Sequence, residues 1–183
     1  MIFQDLRSLL AEGRRFDIDD AVRIIINCCG ELAHELPRGP ITPARILLSN
    51  DGDVRIADFK ADFNLIKRYT APEILESARS GKTSTQMRAY LTGARPTDGW
   101  IEVDVRPAVV FALGCILWEM VAGAQLFDDD KAVMGRLPPL PDAPSALQAI
   151  VWTALATRVE RRYKTPTEFG DALAGYLAAR TVN

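Results

Sequence analysis

Histidine occurs once in the 183 residues, at His34, and cysteine three times, at Cys28, Cys29 and Cys115. With no Cys/His spacing to supply ligands, a zinc centre has almost nothing to be built from, and His34 reads as a helix-end packing residue. The cysteines sit in apolar stretches, and adjacent Cys28 and Cys29 would point in different directions from a helix. They read as small core side chains in a reducing compartment, not as a disulfide framework. Charge of one sign is also missing: 22 basic and 24 acidic residues are interspersed and sum to −2, so no long-range field draws the chain to nucleic acid or anionic lipid. Nor is there a long hydrophobic run, because the most apolar stretch, from Ala108, meets Glu119 well short of the roughly 20 residues that span a bilayer. The N-terminus lacks the basic and apolar regions of a secretory signal, internal repeats and low-complexity segments are absent, and a cytoplasmic location is expected.

What is present is 48% hydrophobic and 25% charged, the composition of one ordinary domain over residues 1–183. Asp17-Ile-Asp-Asp20 is suited to a helix start, and Ala21, Ile24, Ile25, Cys28, Leu32 and Leu36 follow at helical steps, predicting a helix over 17–36. Before it, Phe3, Leu6, Leu9 and Leu10 form a shorter helical pattern that Gly13 ends. Ile46-Leu-Leu-Ser49 and Val54-Arg-Ile-Ala57 flank Asn50-Asp-Gly-Asp53, a β-hairpin signal. A short helix is expected near Glu73 to Ser80, and a buried one over Val109 to Ala122, closed by Gly123. Residues 80–107 read as a variable loop or insert, with a helix over Ser84 to Leu91. Leu137 to Pro144 is a proline-stiffened connection, and Ser145 opens a further helix. The last helix has Thr165 as cap, Pro166 in its first turn and Glu168 positioned to reach back.

Several tempting features have plain readings. Gly81-Lys-Thr83 lacks the upstream glycine of a phosphate-binding loop, and Asp128-Asp-Asp130 lacks the glycine and distal glutamate of a calcium loop. Trp118 and Trp152 are expected in the core. Trp100, in the insert, is a candidate contact residue.

Four motifs in order carry a resemblance: Val54-Arg-Ile-Ala-Asp-Phe59, Tyr69-Thr-Ala-Pro-Glu-Ile-Leu75, Val110-Phe-Ala-Leu-Gly-Cys-Ile-Leu-Trp-Glu-Met120 and Ala154-Leu-Ala-Thr-Arg-Val-Glu-Arg-Arg-Tyr163. With the order of elements, they resemble the C-lobe of protein kinases over nearly the whole chain. The resemblance implies a mainly α, C-lobe-like helical domain with a short hairpin. It also implies a start at the point where kinases leave the hinge, with no N-lobe, glycine-rich loop or strand lysine. In that alignment Arg38-Gly-Pro-Ile-Thr-Pro-Ala-Arg45 occupies the catalytic loop. Pro40 stands where the aspartate base belongs, Thr42 replaces the usual lysine, and Arg45 replaces the metal-binding asparagine. Asp58-Phe59-Lys60 is what remains of the Asp-Phe-Gly motif, Val109 takes the place of the central-helix aspartate unless a slipped alignment offers Asp104, and the segment from Asp58 to Ala71 is short. An Arg45–Asp58 ion pair and a buried Glu73–Arg162 pair are implied.

An imino acid cannot accept a proton, and a guanidinium repels the cation its position would bind. The resemblance therefore implies a pseudokinase without cofactor, metal or ATP. A C-lobe alone is also similar to the kinase non-catalytic C-lobe domain, a eukaryotic protein-binding module, although the central-helix wording is closer to bacterial-type kinases. The expected function is an adaptor or scaffold for a protein partner, self-association included, through Met1, Ile2, Phe3, Arg45, Asp58, Lys60 and Trp100. Two alternatives remain open: a split kinase or nucleotide transferase completed by another chain, with Asp58 as metal ligand, and a structural subunit of a larger assembly.

Overall fold

Residues 2–34, 38–58, 62–80, 90–93, 104–127 and 137–181 are described by the computed structural model. The most apolar segment forms the central helix, here numbered α5 (Arg106–Ala122) in chain order. Every residue from Pro107 to Ala122 is buried, so this helix has no solvent face and is the axis around which the rest packs. It starts three residues before the predicted Val109, because Arg106 and Pro107 fill the first turn, and the Asp104 carboxylate accepts from the Arg106 backbone N–H at 3.1 Å. It stops at Gly123, whose left-handed φ of 66° turns its N–H back onto the Glu119 carbonyl at 2.8 Å.

Around α5 lie α2 (Ile18–His34), α6 (Ser145–Ala154) and α7 (Pro166–Thr181). The α2 stripe of Ala21, Val22, Ile25, Cys28, Cys29 and Leu32 is buried, as its spacing requires, while His34 at the helix end is exposed rather than packed. Packing of α2 on α7 is close at Gly170, where a Cβ would lie 3.0 Å from Cys29 Cβ. Thr165 Oγ1 accepts from the Glu168 N–H at 3.1 Å, and Glu168 reaches back one residue beyond the cap, to the Lys164 N–H at 2.8 Å. Trp118 is in the core at 8% exposure. Trp152 is not: it is 46% exposed, because the buried face of α6 is formed by Leu147, Val151 and Ala154.

The N-terminal helical pattern divides into β1 (Phe3–Asp5) and α1 (Leu6–Ala11). Helical spacing alone missed the strand, which exists because β2 (Ile46–Ser49) offers it an antiparallel partner, Phe3 opposite Ser49 and Asp5 opposite Leu47. Asp5 then caps α1 by accepting from the Ser8 N–H at 2.9 Å. With β3 (Val54–Ile56) the hairpin becomes a three-stranded sheet in the order β1-β2-β3. Its turn is held by Ser49 Oγ, which accepts from the Asp51 and Asp53 N–H groups at 3.2 and 3.0 Å.

Beyond the sheet, α3 (Phe63–Tyr69) precedes α4 (Pro72–Arg79). The sequence reading has no helix at α3, yet Asp62 caps it by accepting from the Leu65 N–H, and Leu65, Ile66 and Tyr69 are buried. Of the 80–107 segment only 80, 90–93 and 104–107 are described. Residues 90–93 form a helical turn whose Tyr90 and Leu91 pack on the core. Leu36, the Gly81-Lys-Thr83 triplet, residues 84–89 of the expected insert helix and the Asp128-Asp-Asp130 run lie outside the described residues. Among the described residues no helix is long and apolar enough to cross a membrane.

Candidate functional site

The stretch 38–45 leads into β2 and closes in a short 3-10 turn, Pro43–Arg45. It folds around its own last residue. Arg45 is 6% exposed, and its Nη1 donates to the carbonyls of Arg38, Gly39 and Pro40 at 2.9, 3.0 and 3.0 Å. Its Nε donates to the Ala57 carbonyl, just past β3, at 3.0 Å. The Arg45 backbone N–H returns to the Thr42 carbonyl at 3.0 Å, and the Ala57 N–H to the Arg45 carbonyl at 2.7 Å. A fixed fork of five N–H donors suits this role, because the turn leaves several carbonyls converging with no N–H of their own to meet them.

Burial lowers the Arg45 pKa from the usual arginine range; the neighbouring Tyr90 and, to a smaller degree, Asp58 oppose that shift. Tyr90 is in turn held well above the ordinary phenol range by burial, with Arg45 pulling down and Glu73 pushing up. The helical turn at 90–93 thus places a tyrosine beside the loop arginine. Nothing in the sequence pattern of 80–107 marks that residue.

Pro40 and Thr42 are both buried, and Asp58 is exposed at the end of a described segment. Lys60, Met1 and Trp100 lie outside the described residues. Val109 is fully buried, and Asp104 is exposed and engaged with the Arg106 guanidinium at 2.7 and 2.8 Å. The 38–45 loop is held from within, by Arg45. Among the described residues no group of three His, Cys, Asp or Glu side chains is arranged to hold a metal ion.

Two further buried polar groups support the frame. Arg162 is 4% exposed and donates from Nη1 to Glu73 Oε1 at 2.9 Å and from Nη2 to Glu73 Oε2 at 3.1 Å. It also reaches the carbonyls of Ala156 and Pro107, with its guanidinium over the Phe111 ring at 5.1 Å. Glu119, 4% exposed, accepts from the Tyr69 hydroxyl at 2.6 Å and from the Leu126 N–H at 3.2 Å. Its pKa is raised by burial, against the pull of the Tyr69 hydrogen bond. Tyr69 and Glu119 both stand in the quoted motifs, but only the geometry shows that they bond to each other. The thiols of Cys28, Cys29 and Cys115 are raised by burial, Cys29 to about 12, which leaves them unreactive.

Of the N-terminal residues expected to meet a partner, Ile2 is 77% exposed, whereas the Phe3 ring is half-buried and covered by the Arg55 guanidinium at 4.7 Å. A separate cleft of about 420 Å³ opens between the β2–β3 turn and the first half of α2. The sequence reading did not foresee it.

No protein-family model matches the chain. It is 33% identical over 152 residues to the tyrosine-protein kinase MasK of Myxococcus xanthus, across 75% of this chain and 21% of that kinase. It is 30% identical over 167 residues to the serine/threonine-protein kinase PknB of Mycolicibacterium smegmatis, across 81% of this chain and 25% of that one. The crystal structure of the Mycobacterium tuberculosis PknI kinase domain matches with a TM-score of 0.65 at 23% identity, over 94% of this chain and 62% of the solved chain. The chain has kinase-like homology and a kinase C-lobe-like helical fold, and it spans about a quarter or less of the curated kinases named here.

Proposed function

We propose that this chain is a kinase-like domain that does not transfer phosphate and serves as an adaptor or scaffold for a protein partner. The observation that carries the reading is the use of Arg45. At the position aligned with a magnesium-binding asparagine, a buried guanidinium is committed to the loop's own carbonyls. Phosphoryl transfer needs a carboxylate near the attacking hydroxyl and ligands for the cation. Pro40 offers no proton acceptor, and Arg45 adds positive charge where a dication would sit. The loop's shape is kept by a different device from the one that gives it chemistry. The kinase non-catalytic C-lobe domain, which the sequence resembles, offers a precedent for such a role.

A second reading, a nucleotide-dependent enzyme completed by another chain, has one observation in its favour. Asp58 is exposed and forms no hydrogen bond or ion pair among the described residues, so its carboxylate is open to a cation. One monodentate carboxylate beside a guanidinium is a poor magnesium site, since that ion demands near-octahedral oxygen ligands.

The test is a thermal-shift titration with ATP, with and without magnesium or manganese, paired with radiolabel transfer from γ-labelled ATP to casein and myelin basic protein. No shift and no label are expected. Metal-dependent labelling by the purified chain would overturn the reading in favour of the enzyme.

A further inference from the structure

The cleft between the β2–β3 turn and α2 has a floor and a rim of different chemistry. Leu9, Phe16, Ile24 and Leu48 present apolar surface at its base. Arg14, Asp20 and Arg23 stand on its rim, all exposed, and none of their charged groups makes a hydrogen bond or ion pair among the described residues. Arg14 is held in place by stacking, its guanidinium 4.9 Å from the centre of the Phe16 ring. Asn27, one turn on from Arg23 along α2, and Asn50, in the hairpin turn, complete the rim.

Such a layout is specific about its occupant. An open cleft with an apolar floor and a few convergent polar groups is the kind of place where ligands bind. Two guanidinium groups without an ion partner among the described residues call for a carboxylate, which they can bind through paired N–H donors. Asp20 on the same rim disfavours polyanions such as nucleoside triphosphates and runs of acidic residues. Primary amides carry both donors and an acceptor, matching the N–H and C=O of a peptide main chain.

We propose that this cleft binds an extended segment of a protein partner, seating an apolar side chain on Leu9, Phe16, Ile24 and Leu48 and pairing a nearby Asp or Glu with Arg14 and Arg23. The inference rests on the adaptor reading and gives it a surface and a partner chemistry, different from the surface around Ile2.

The experiment is an NMR titration of the ¹⁵N-labelled chain with synthetic Gly/Ala peptides that carry one leucine and one glutamate at spacings of one to four residues. Saturable shifts are expected at the amides of Arg14, Phe16, Arg23, Asn27 and the β2–β3 turn for at least one spacing. The same peptide with glutamine should bind at least fivefold more weakly, and Arg23→Glu at least tenfold more weakly. Arg23 is exposed and its guanidinium makes no hydrogen bond or ion pair to the described residues, so that variant should melt like the parent; Arg14→Gln is the second variant if it does not. The proposal fails if no cleft amide moves at millimolar peptide, if glutamine binds as well as glutamate, or if neither variant weakens binding. Sodium acetate and inorganic phosphate are run alongside. If either moves the same amides as strongly as the peptide, the cleft takes a small anion and the proposal is overturned. Peptide shifts confined to the surface around Ile2 would sink the cleft and leave the adaptor standing, whereas ATP-dependent labelling would sink the adaptor reading alone.

Discussion

At the scale of single residues, Arg45 shows how one buried guanidinium can hold a loop together. Read from the sequence, it is a cation in a ligand's place, and the nearest complementary charge is Asp58. Its bonds to the described residues include four backbone carbonyls, which no sequence pattern advertises because every residue has one. Placing asparagine at this position should therefore loosen the loop. Arg45→Asn strands buried acceptors that each cost about 1–3 kcal/mol when unmet, so a net loss of about 2–4 kcal/mol is expected in urea denaturation. A change within about 0.5 kcal/mol, typical of a surface position, would show that the staple carries no weight. Glu119 gives a second prediction, in pH. Burial raises its folded pKa above the unfolded value, so in that window the native state binds more protons than the unfolded one. Its stability contribution is full below the unfolded pKa and is lost as pH rises through the folded one. The melting temperature of the parent relative to Glu119→Gln should thus fall as pH is raised from about 4 towards neutrality, from the ordinary carboxylate range upward. An unchanging difference would mean that Glu119 titrates alike in both states.

At the scale of elements, legibility followed the source of each element's stability. Helix α2 is stabilised by its own apolar stripe and α7 by its own cap, and both were readable from spacing and from Thr165, Pro166 and Glu168. Strand β1 exists only because β2 lies beside it, and α3 only because Leu65, Ile66 and Tyr69 find the core. A tertiary partner is what a local pattern lacks. The exposed Trp152 has the same cause: hydrophobicity marked it for the core, but the angular position of Leu147, Val151 and Ala154 decided which face of α6 went inward. Arg162 ties three such elements, joining α4 through Glu73, α5 through the Pro107 carbonyl and the end of α6 through Ala156. Removing one partner of a buried, hydrogen-bonded pair costs about 3–5 kcal/mol, and Arg162→Ala should lose that much or fail to fold. Glu73 is 29% exposed and glutamine can still accept, so Glu73→Gln should cost less. Equal or reversed costs, measured by thermal denaturation, would show that the guanidinium's carbonyl contacts contribute little.

Across the whole molecule, stability is unevenly distributed, and the unevenness bears on function. Helix α5 is buried on all sides, and α2, α6 and α7 pack directly on it, so its amides can reach solvent only when the whole unit opens. The sheet is the opposite case: β1 and β3 have three residues each and β1 is an edge, backed by the six-residue α1. Short edge strands open locally at small cost. In a chain whose loop is fixed by Arg45, that looseness is available for binding. The cleft sits at this boundary, with α2 as its rigid wall and the β2–β3 turn as its adjustable one. Hydrogen–deuterium exchange should therefore show α5 slowest, at the rate of global unfolding, and residues 3–11 faster by about a hundredfold or more. Peptide occupancy of the cleft should slow exchange in the β2–β3 turn while leaving α5 unchanged. If the sheet is protected as strongly as α5 in the free chain, the two parts form one cooperative unit, and the cleft has no adjustable wall to close on a partner.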